Sequence, residues 1–333
     1  MANDPTANQP NKPVQTTIAP TSADAKAKVA AALASPSKGN MDPTKGATVV
    51  TTKAPPFMIS GAQTDKRWLN ALFYGPYGAG KTTLAGSAAD VPAMCDILFI
   101  DAESGSLALE DSPQIKNVGG IDTVRVNNFQ MVAHVQEFLK AHCIARDRND
   151  EVTLRALEAR VKGCSPDEII TPRRYRTVVV DSLTEVNTFS LYQLLNIATD
   201  MKLVDAQVEV AQFAEYNRHN QMMQLVIRAY RDLPIHVILV CAVLYDQDEL
   251  KRYHYTPYLT GKLSRQVQGF VDIVGFLQVG KQKEGEESAA RRLYVQPVGN
   301  FDAKNRRASF KAPFIEDPSM TKIFEAWGLP LSK

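Results

Sequence analysis

The sequence predicts an α/β fold in which helices flank a central, mostly parallel sheet. From Lys66 onward, short apolar runs alternate with longer segments that have helical spacing, an order typical of parallel strands and crossover helices. Residues 177–180 are all β-branched, which indicates a strand buried on both faces. A glycine-rich segment between the first strand and the first helix is the third observation.

The elements are predicted in chain order from these patterns. Strands are predicted over residues 68–74, 97–101, 123–126, 177–180, 235–243, 273–279, 292–295 and 308–311, the last three in a partly antiparallel region. Helices are predicted over residues 83–89, 129–145, 150–162, 183–198 and 206–232. Pro234 ends the last helix because proline cannot continue its hydrogen bonds.

The first 55 residues differ in composition from the rest. They are rich in Ala, Pro, Thr, Asn and Lys, and they contain no aromatic residue, Glu or Arg. Such a segment buries too little apolar surface to offset the entropy lost on ordering. The sequence therefore predicts a disordered tail over residues 1–55 and one α/β domain over residues 56–333.

Composition and cysteine spacing indicate a protein of a reducing compartment. The 333 residues are 44% hydrophobic and 22% charged, as in ordinary globular proteins. The chain has no apolar run of about 18 residues, the length of a membrane span. Its four cysteines form neither a Cys-x-x-Cys pair nor a Cys/His metal pattern. We expect a cytoplasmic protein that does not associate with membranes.

The glycine-rich segment fits the phosphate-binding loop G-x-x-x-x-G-K-[ST]. In such a loop the glycines let several backbone N–H groups converge on a phosphate, beside the positive end of a helix. Lys81 is expected to reach the outer phosphates, and the Thr82 hydroxyl to ligate Mg²⁺. The predicted nucleotide-binding residues are Gly75, Pro76, Tyr77, Gly78, Ala79, Gly80, Lys81, Thr82 and Thr83.

Two predicted strands end in acidic residues. Asp181 follows the β-branched strand, where an open α/β sheet binds ligands, so we expect it to serve Mg²⁺ opposite Thr82. The alternative is that Asp181 only caps the next helix. Hydrolysis also needs a carboxylate that orients the attacking water. Glu103, at the end of the second strand, is the first candidate, and Glu185 is the second.

These motifs resemble a known family. Segments 99–103 (FIDAE) and 178–182 (VVVDS) are similar to the matching segments of RecA-type recombinases. The closer resemblance is to bacteriophage RecA-like P-loop ATPases of the Sak single-strand annealing type, which are AAA-type ATP-binding proteins. Segments 259–263, 270–272 and 303–306 extend this resemblance, which covers residues 66–312.

The resemblance implies a RecA-like core that uses ATP and Mg²⁺, with Glu103 activating water and Asp181 serving the metal ion. It also implies work on single-stranded DNA in phage recombination, annealing or replication, a homo-oligomeric ring or filament, and contact with a single-strand-binding protein. RecA proteins sense the γ-phosphate with a glutamine, but the equivalent strand here ends apolar, which leaves Tyr245, Asp246 or Gln247. A helicase loader, a packaging factor and a nucleotide-gated adaptor that scarcely hydrolyses ATP are the alternatives.

The last third of the chain is basic. Between Lys251 and Lys311 there are twelve Lys/Arg against five Asp/Glu, with several tyrosines interleaved. Lys262 and Arg265, expected in a loop, are the candidate DNA-binding residues. Lys304 and Arg306 are candidates for a basic residue that reaches the γ-phosphate of a neighbouring subunit. The alternative for the whole segment is an ordinary solvated surface.

Overall fold

The structure is a computed structural model that describes residues 68–197, 211–247, 251–280, 289–308 and 310–332. The predicted tail, residues 1–55, lies outside the described residues, and so does the predicted start of the last helix at residues 206–210. Within the described part of the chain, strands and helices alternate as the sequence predicts.

A single sheet organises the described residues. Six strands run parallel in the order β7-β1-β5-β4-β2-β3, while β8 and β10 extend the β7 side in antiparallel fashion. Two short strands, β6 and β9, pair antiparallel with β5 and β7. The strands are β1 Asn70–Gly75, β2 Ile97–Asp101, β3 Ile121–Arg125, β4 Thr177–Asp181, β5 His236–Gln247, β6 Tyr253–Pro257, β7 Ile273–Val279, β8 Arg291–Tyr294, β9 Lys304–Asn305 and β10 Phe314–Glu316.

Helices cover both faces of the sheet. They are α1 Lys81–Gly86, α2 Leu107–Glu110, α3 Phe129–Asp147, α4 Glu151–Lys162, α5 Leu183–Leu194, α6 Phe213–Arg231, α7 Leu263–Phe270 and α8 Met320–Trp327. Leu72 and Tyr74 of β1 face the core formed with α3, α5, α6 and α7, whereas Ala71 and Phe73 face the core formed with α1 and α8. The predicted α/β class with a mostly parallel, helix-flanked sheet is confirmed.

Local sequence sets most helix boundaries. Asn128, Asp150, Ser182 and Ser319 precede α3, α4, α5 and α8, and each side chain accepts a hydrogen bond from a backbone N–H of the first turn. Short polar side chains are favoured at this position because they satisfy N–H groups that the helix leaves unpaired. Gly163 ends α4 with a φ of 67°, a conformation that glycine adopts without a steric penalty.

The C-terminal third departs from the prediction. Of the strand predicted over residues 308–311, the described residues 308, 310 and 311 are not in a strand. Phe310 is buried within an irregular segment, and the edge strand is instead β10. β5 continues past Val243 because it pairs with β6, a hairpin that the pattern did not predict. Helices α7 and α8 were missed because each has only eight residues. No helix in the described ranges is long and apolar enough to cross a bilayer.

Candidate functional site

The candidate site lies where parallel strands end together. Asp101 of β2 is in register with Asp181 of β4, and β5 separates β4 from β1, which runs directly into the phosphate loop. Carboxyl ends of parallel strands share one edge of a sheet, which is where open α/β sheets bind ligands. The fold therefore brings the loop and both acidic strand ends to one edge.

The glycines of the phosphate loop are required by its geometry. A Cβ on Gly75 would lie 2.4 Å from the backbone oxygen of Leu277, so no side chain fits there. Gly78 and Gly80 have φ values of 72° and 92°, in the left-handed region that favours glycine. Gly80 immediately precedes α1, so the loop runs directly into the positive end of a helix.

Lys81 lies along the loop that carries it. Its Nζ donates to the carbonyl oxygens of Gly75 at 3.0 Å and Pro76 at 2.8 Å. Burial lowers the pKa of the Lys81 ammonium, while Asp181 and Glu103 act in the opposite direction. This side chain is a cation held at the loop, within reach of a ligand that binds the loop amides.

Thr82 and Asp181 meet as the sequence predicts. The Thr82 hydroxyl donates to Asp181 Oδ2 at 2.6 Å. Burial raises the pKa of Asp181 from 3.8 to about 6; the Thr82 hydrogen bond opposes this rise and the nearby Glu103 adds to it. Both groups offer oxygen donors of the kind that Mg²⁺ prefers. Among the described residues, no group of three or more His, Cys, Asp or Glu is placed to hold a metal ion.

Glu103 is connected to the candidate magnesium site through Ser182, the residue that follows Asp181. The Ser182 hydroxyl donates to Glu103 Oε1, and Ser182 Oγ accepts from the Glu185 backbone N–H at 3.3 Å. Ser182 thus connects the exposed Glu103 to the start of α5. Burial and the nearby Glu103 both raise the pKa of Glu185, so the two candidate carboxylates interact electrostatically.

Two contributions to this arrangement were not predicted from the sequence. Ser182 contacts Glu103 across 79 positions of the chain, a contact that no sequence pattern indicated. Asp101 accepts from the backbone N–H groups of Gly105 at 3.0 Å and Ser106 at 3.2 Å, which fixes the loop that carries Glu103. The only sequence signal for Asp101 was its place at a strand end.

The predicted DNA-binding residues lie at the start of α7. Lys262 is in the turn that immediately precedes the helix, as expected, whereas Arg265 is in the first turn of α7, so the loop prediction was wrong for Arg265. Leu263 and Val267 are buried at helical spacing, which explains why this segment forms a short amphipathic helix. Both basic residues are exposed. Their DNA role stays a prediction.

The residues predicted to act across subunits have contacts within this chain. Lys304 Nζ donates to the carbonyl oxygen of Gln268 at 2.5 Å and to that of Val271 at 2.9 Å. Arg306 donates to the Gly269 carbonyl at 2.7 Å and to Asp272 Oδ1 at 3.1 Å. These bonds hold the C-terminal end of α7, a structural role that the sequence did not reveal. The trans-acting role stays a prediction.

The three candidate γ-phosphate sensors lie on β5 beyond the level at which the neighbouring strand β1 runs into the phosphate loop. Gly75 is in register with Ala242, whereas Tyr245, Asp246 and Gln247 belong to the β5–β6 hairpin beyond it. At about 3.3 Å per residue, Tyr245 lies roughly 10 Å past that level. The Gln247 amide donates to the Lys251 carbonyl at 3.3 Å. The geometry therefore does not single out one of these three as a γ-phosphate sensor.

Comparisons with known proteins place the chain in a family. No curated protein matches the sequence at a significant level. A solved structure, the crystal structure of the RadB recombinase, has 16% sequence identity, covers 68% of this chain and 79% of its own, and gives a TM-score of 0.33. The model of a family described as AAA domain matches residues 68–307. Because that match spans well over half of the chain and contains the phosphate loop and both acidic strand ends, the protein belongs to the AAA domain family.

Proposed function

We propose that this protein is a Mg²⁺-dependent ATPase of RecA-like type that acts on single-stranded DNA in phage recombination, annealing or replication. The observation that carries the ATPase proposal is the connected set of Lys81, Thr82, Asp181 and Glu103 at one sheet edge. A phosphate-binding cation, two oxygen ligands for Mg²⁺ and a carboxylate for water are the parts that phosphoryl transfer to water needs.

Each side chain has a separate task in this proposal. The loop amides and Lys81 bind the phosphates and stabilise the negative charge that develops during transfer. Thr82 and Asp181 would hold Mg²⁺, which would supply positive charge that offsets the charge of the phosphates. Glu103 orients the attacking water, and Ser182 positions Glu103 by donating to its carboxylate. Glu185, in the first turn of α5, is the alternative carboxylate.

The proposed DNA contact rests on exposed groups near α7. Lys262 and Arg265 are exposed cations, and Tyr253 and Tyr258 are about half exposed, at 55% and 48%. Cations bind phosphates and exposed aromatic rings stack on bases in many single-strand binders. Tyr255 does not join this set, because its ring stacks on Phe276 with centroids 5.7 Å apart. A homo-oligomeric ring or filament and a single-strand-binding protein remain the proposed partners.

Steady-state ATP turnover, measured while single-stranded or double-stranded DNA is titrated, tests the proposal. We expect Mg²⁺-dependent turnover that single strands stimulate more than duplex does, and no turnover in Lys81→Ala. The thermal transition of Lys81→Ala without nucleotide should stay close to that of the native protein. Normal turnover in Lys81→Ala refutes the site. An ATP turnover rate that DNA does not change favours a packaging factor or a helicase loader. ATP binding without turnover favours a nucleotide-gated adaptor.

A further inference from the structure

One arginine lies against the phosphate loop without belonging to any motif. Arg291 opens β8, which is antiparallel to β7. A Cβ built on Gly80 would lie 3.2 Å from Arg291 Cζ and Nη1 and 3.3 Å from Nε, so the guanidinium packs flat against the loop backbone. The two residues are more than 200 positions apart in the chain, which is why no sequence pattern connected them.

The position of Arg291 is fixed through its backbone. Its N–H donates to Asp317 Oδ1 at 3.2 Å, and its carbonyl accepts from the Asp317 N–H at 2.8 Å. Its guanidinium has no hydrogen bond or ion pair within the described part of the chain. The neighbouring Arg292 differs, because it pairs with Glu316 at 2.9 Å and packs 4.9 Å from the Phe314 ring centroid. The fold therefore accounts for the Arg292 side chain but leaves that of Arg291 available at the loop.

A cavity opens beside this guanidinium. Its volume is about 700 Å³, within the range of small-molecule sites. Thr83, the residue that ends the predicted phosphate-binding set, lines it on one side. The segment after α2 and the segment between β10 and α8 supply most of the rest, including the polar side chains of Asp111, Gln114, Asp317 and Ser319.

The chemistry of the cavity suits an uncharged ring system rather than phosphate. The charged groups that line the cavity are two carboxylates, those of Asp111 and Asp317, and one guanidinium, that of Arg291. The excess of negative charge would repel a polyanion. Carboxylates accept hydrogen bonds from hydroxyl and amino groups, and a guanidinium plane stacks on an aromatic ring. A nucleoside offers both features, namely ribose hydroxyls and a flat base.

We propose that this cavity receives the nucleoside of the bound nucleotide and that Arg291 stacks on its base. The inference rests on the proposed function, because it assumes that the phosphates occupy the loop. The C-terminal β8–β10–α8 segment thereby contributes to nucleotide recognition, and Arg291 acts within its own subunit. Tripolyphosphate can occupy the loop but has no group for the cavity, so comparing it with ATP isolates the contribution of Arg291.

Calorimetric titration of ATP and of inorganic tripolyphosphate, both with Mg²⁺, tests the proposal. Arg291→Ala should weaken ATP binding by about tenfold, the effect of a partly desolvated cation–π contact, and should change tripolyphosphate binding by less than about twofold. Arg291→Lys should also bind ATP more weakly, because it keeps the charge but loses the planar group. Arg292→Ala, the matched control on the other side of the strand, should bind both ligands normally.

Three outcomes would overturn the assignment. Native ATP affinity in Arg291→Ala, with an unchanged thermal transition, removes Arg291 from the site. Equal weakening of ATP and tripolyphosphate makes Arg291 a phosphate-binding residue and leaves the cavity without a nucleoside. Native ATP affinity in Arg291→Lys overturns the stacking role. If the unsubstituted protein binds neither ligand, the proposed function itself has failed, which is a separate result.

Discussion

Asp181→Asn should stabilise the protein without nucleotide while abolishing ATP turnover. Asp181 is only 5% exposed, and its burial raises its pKa from 3.8 to about 6. An acid whose pKa is higher in the folded chain destabilises the fold in its ionised form, so the cost appears as pH rises above 3.8 and is complete above about 6. Asparagine keeps an oxygen for the Thr82 hydroxyl but carries no charge, so that cost disappears.

The size of this effect follows from the pKa. A rise from 3.8 to about 6 corresponds to about 3 kcal/mol at neutral pH. Burying the polar amide of asparagine also costs free energy, which offsets part of the stabilisation. We therefore expect the free energy of unfolding to rise by roughly 1–3 kcal/mol at pH 7.5. At pH 5 the native carboxyl is mostly protonated, and the advantage should fall to about half.

Urea unfolding at both pH values, without nucleotide or Mg²⁺, measures this difference. Asp101→Asn is the matched control, because the Asp101 carboxylate accepts two backbone N–H groups and its loss should destabilise the protein. A less stable Asp181→Asn protein at pH 7.5 would refute the reasoning, and so would a gain that is the same at both pH values.

Two further predictions concern the basic residues. Lys262→Ala combined with Arg265→Ala should weaken single-stranded DNA binding and lower the slope of log affinity against log salt by about 0.7 for each lost phosphate contact, with ATP affinity unchanged; an unaltered slope argues against the DNA role. If Lys304 or Arg306 acts across a subunit interface, mixing Arg306→Ala with Glu103→Gln subunits should restore part of the ATPase activity, because some interfaces then combine both intact residues. No recovery in assemblies that are demonstrably mixed would confine Arg306 to its own subunit.

The local structure around the candidate site could be predicted from the sequence. The phosphate loop needs glycine at fixed positions and a helix directly after it, and both requirements are visible in residues 75–82. The strand over residues 97–101 is an uninterrupted apolar run that ends in an acid, and the structure has the same bounds. In parallel sheets such ends meet at one edge, so the proximity of Thr82 and Asp181 could be expected.

Contacts between distant segments could not be read in the same way. Ser182 meets Glu103 only because β2 and β4 are neighbours in the sheet, and Arg291 meets Gly80 only because β8 pairs with β7. Neither pairing has a sequence signature. Helix α7 was assigned to a loop because an eight-residue amphipathic segment gives a weak periodic signal, although its buried Leu263 and Val267 are clear in the structure.

Single-turnover ATP hydrolysis by Glu103→Gln and Glu185→Gln tests the central claim most directly. If Glu103 orients the water, Glu103→Gln should bind ATP and Mg²⁺ with native affinity yet hydrolyse ATP about 100-fold more slowly or worse, while Glu185→Gln changes the rate only mildly. Glu103 raises the pKa of Glu185, so the two carboxylates affect each other electrostatically, and each variant is the matched control for the other. A slow Glu185→Gln beside a nearly native Glu103→Gln would contradict the account and move the catalytic carboxylate to α5.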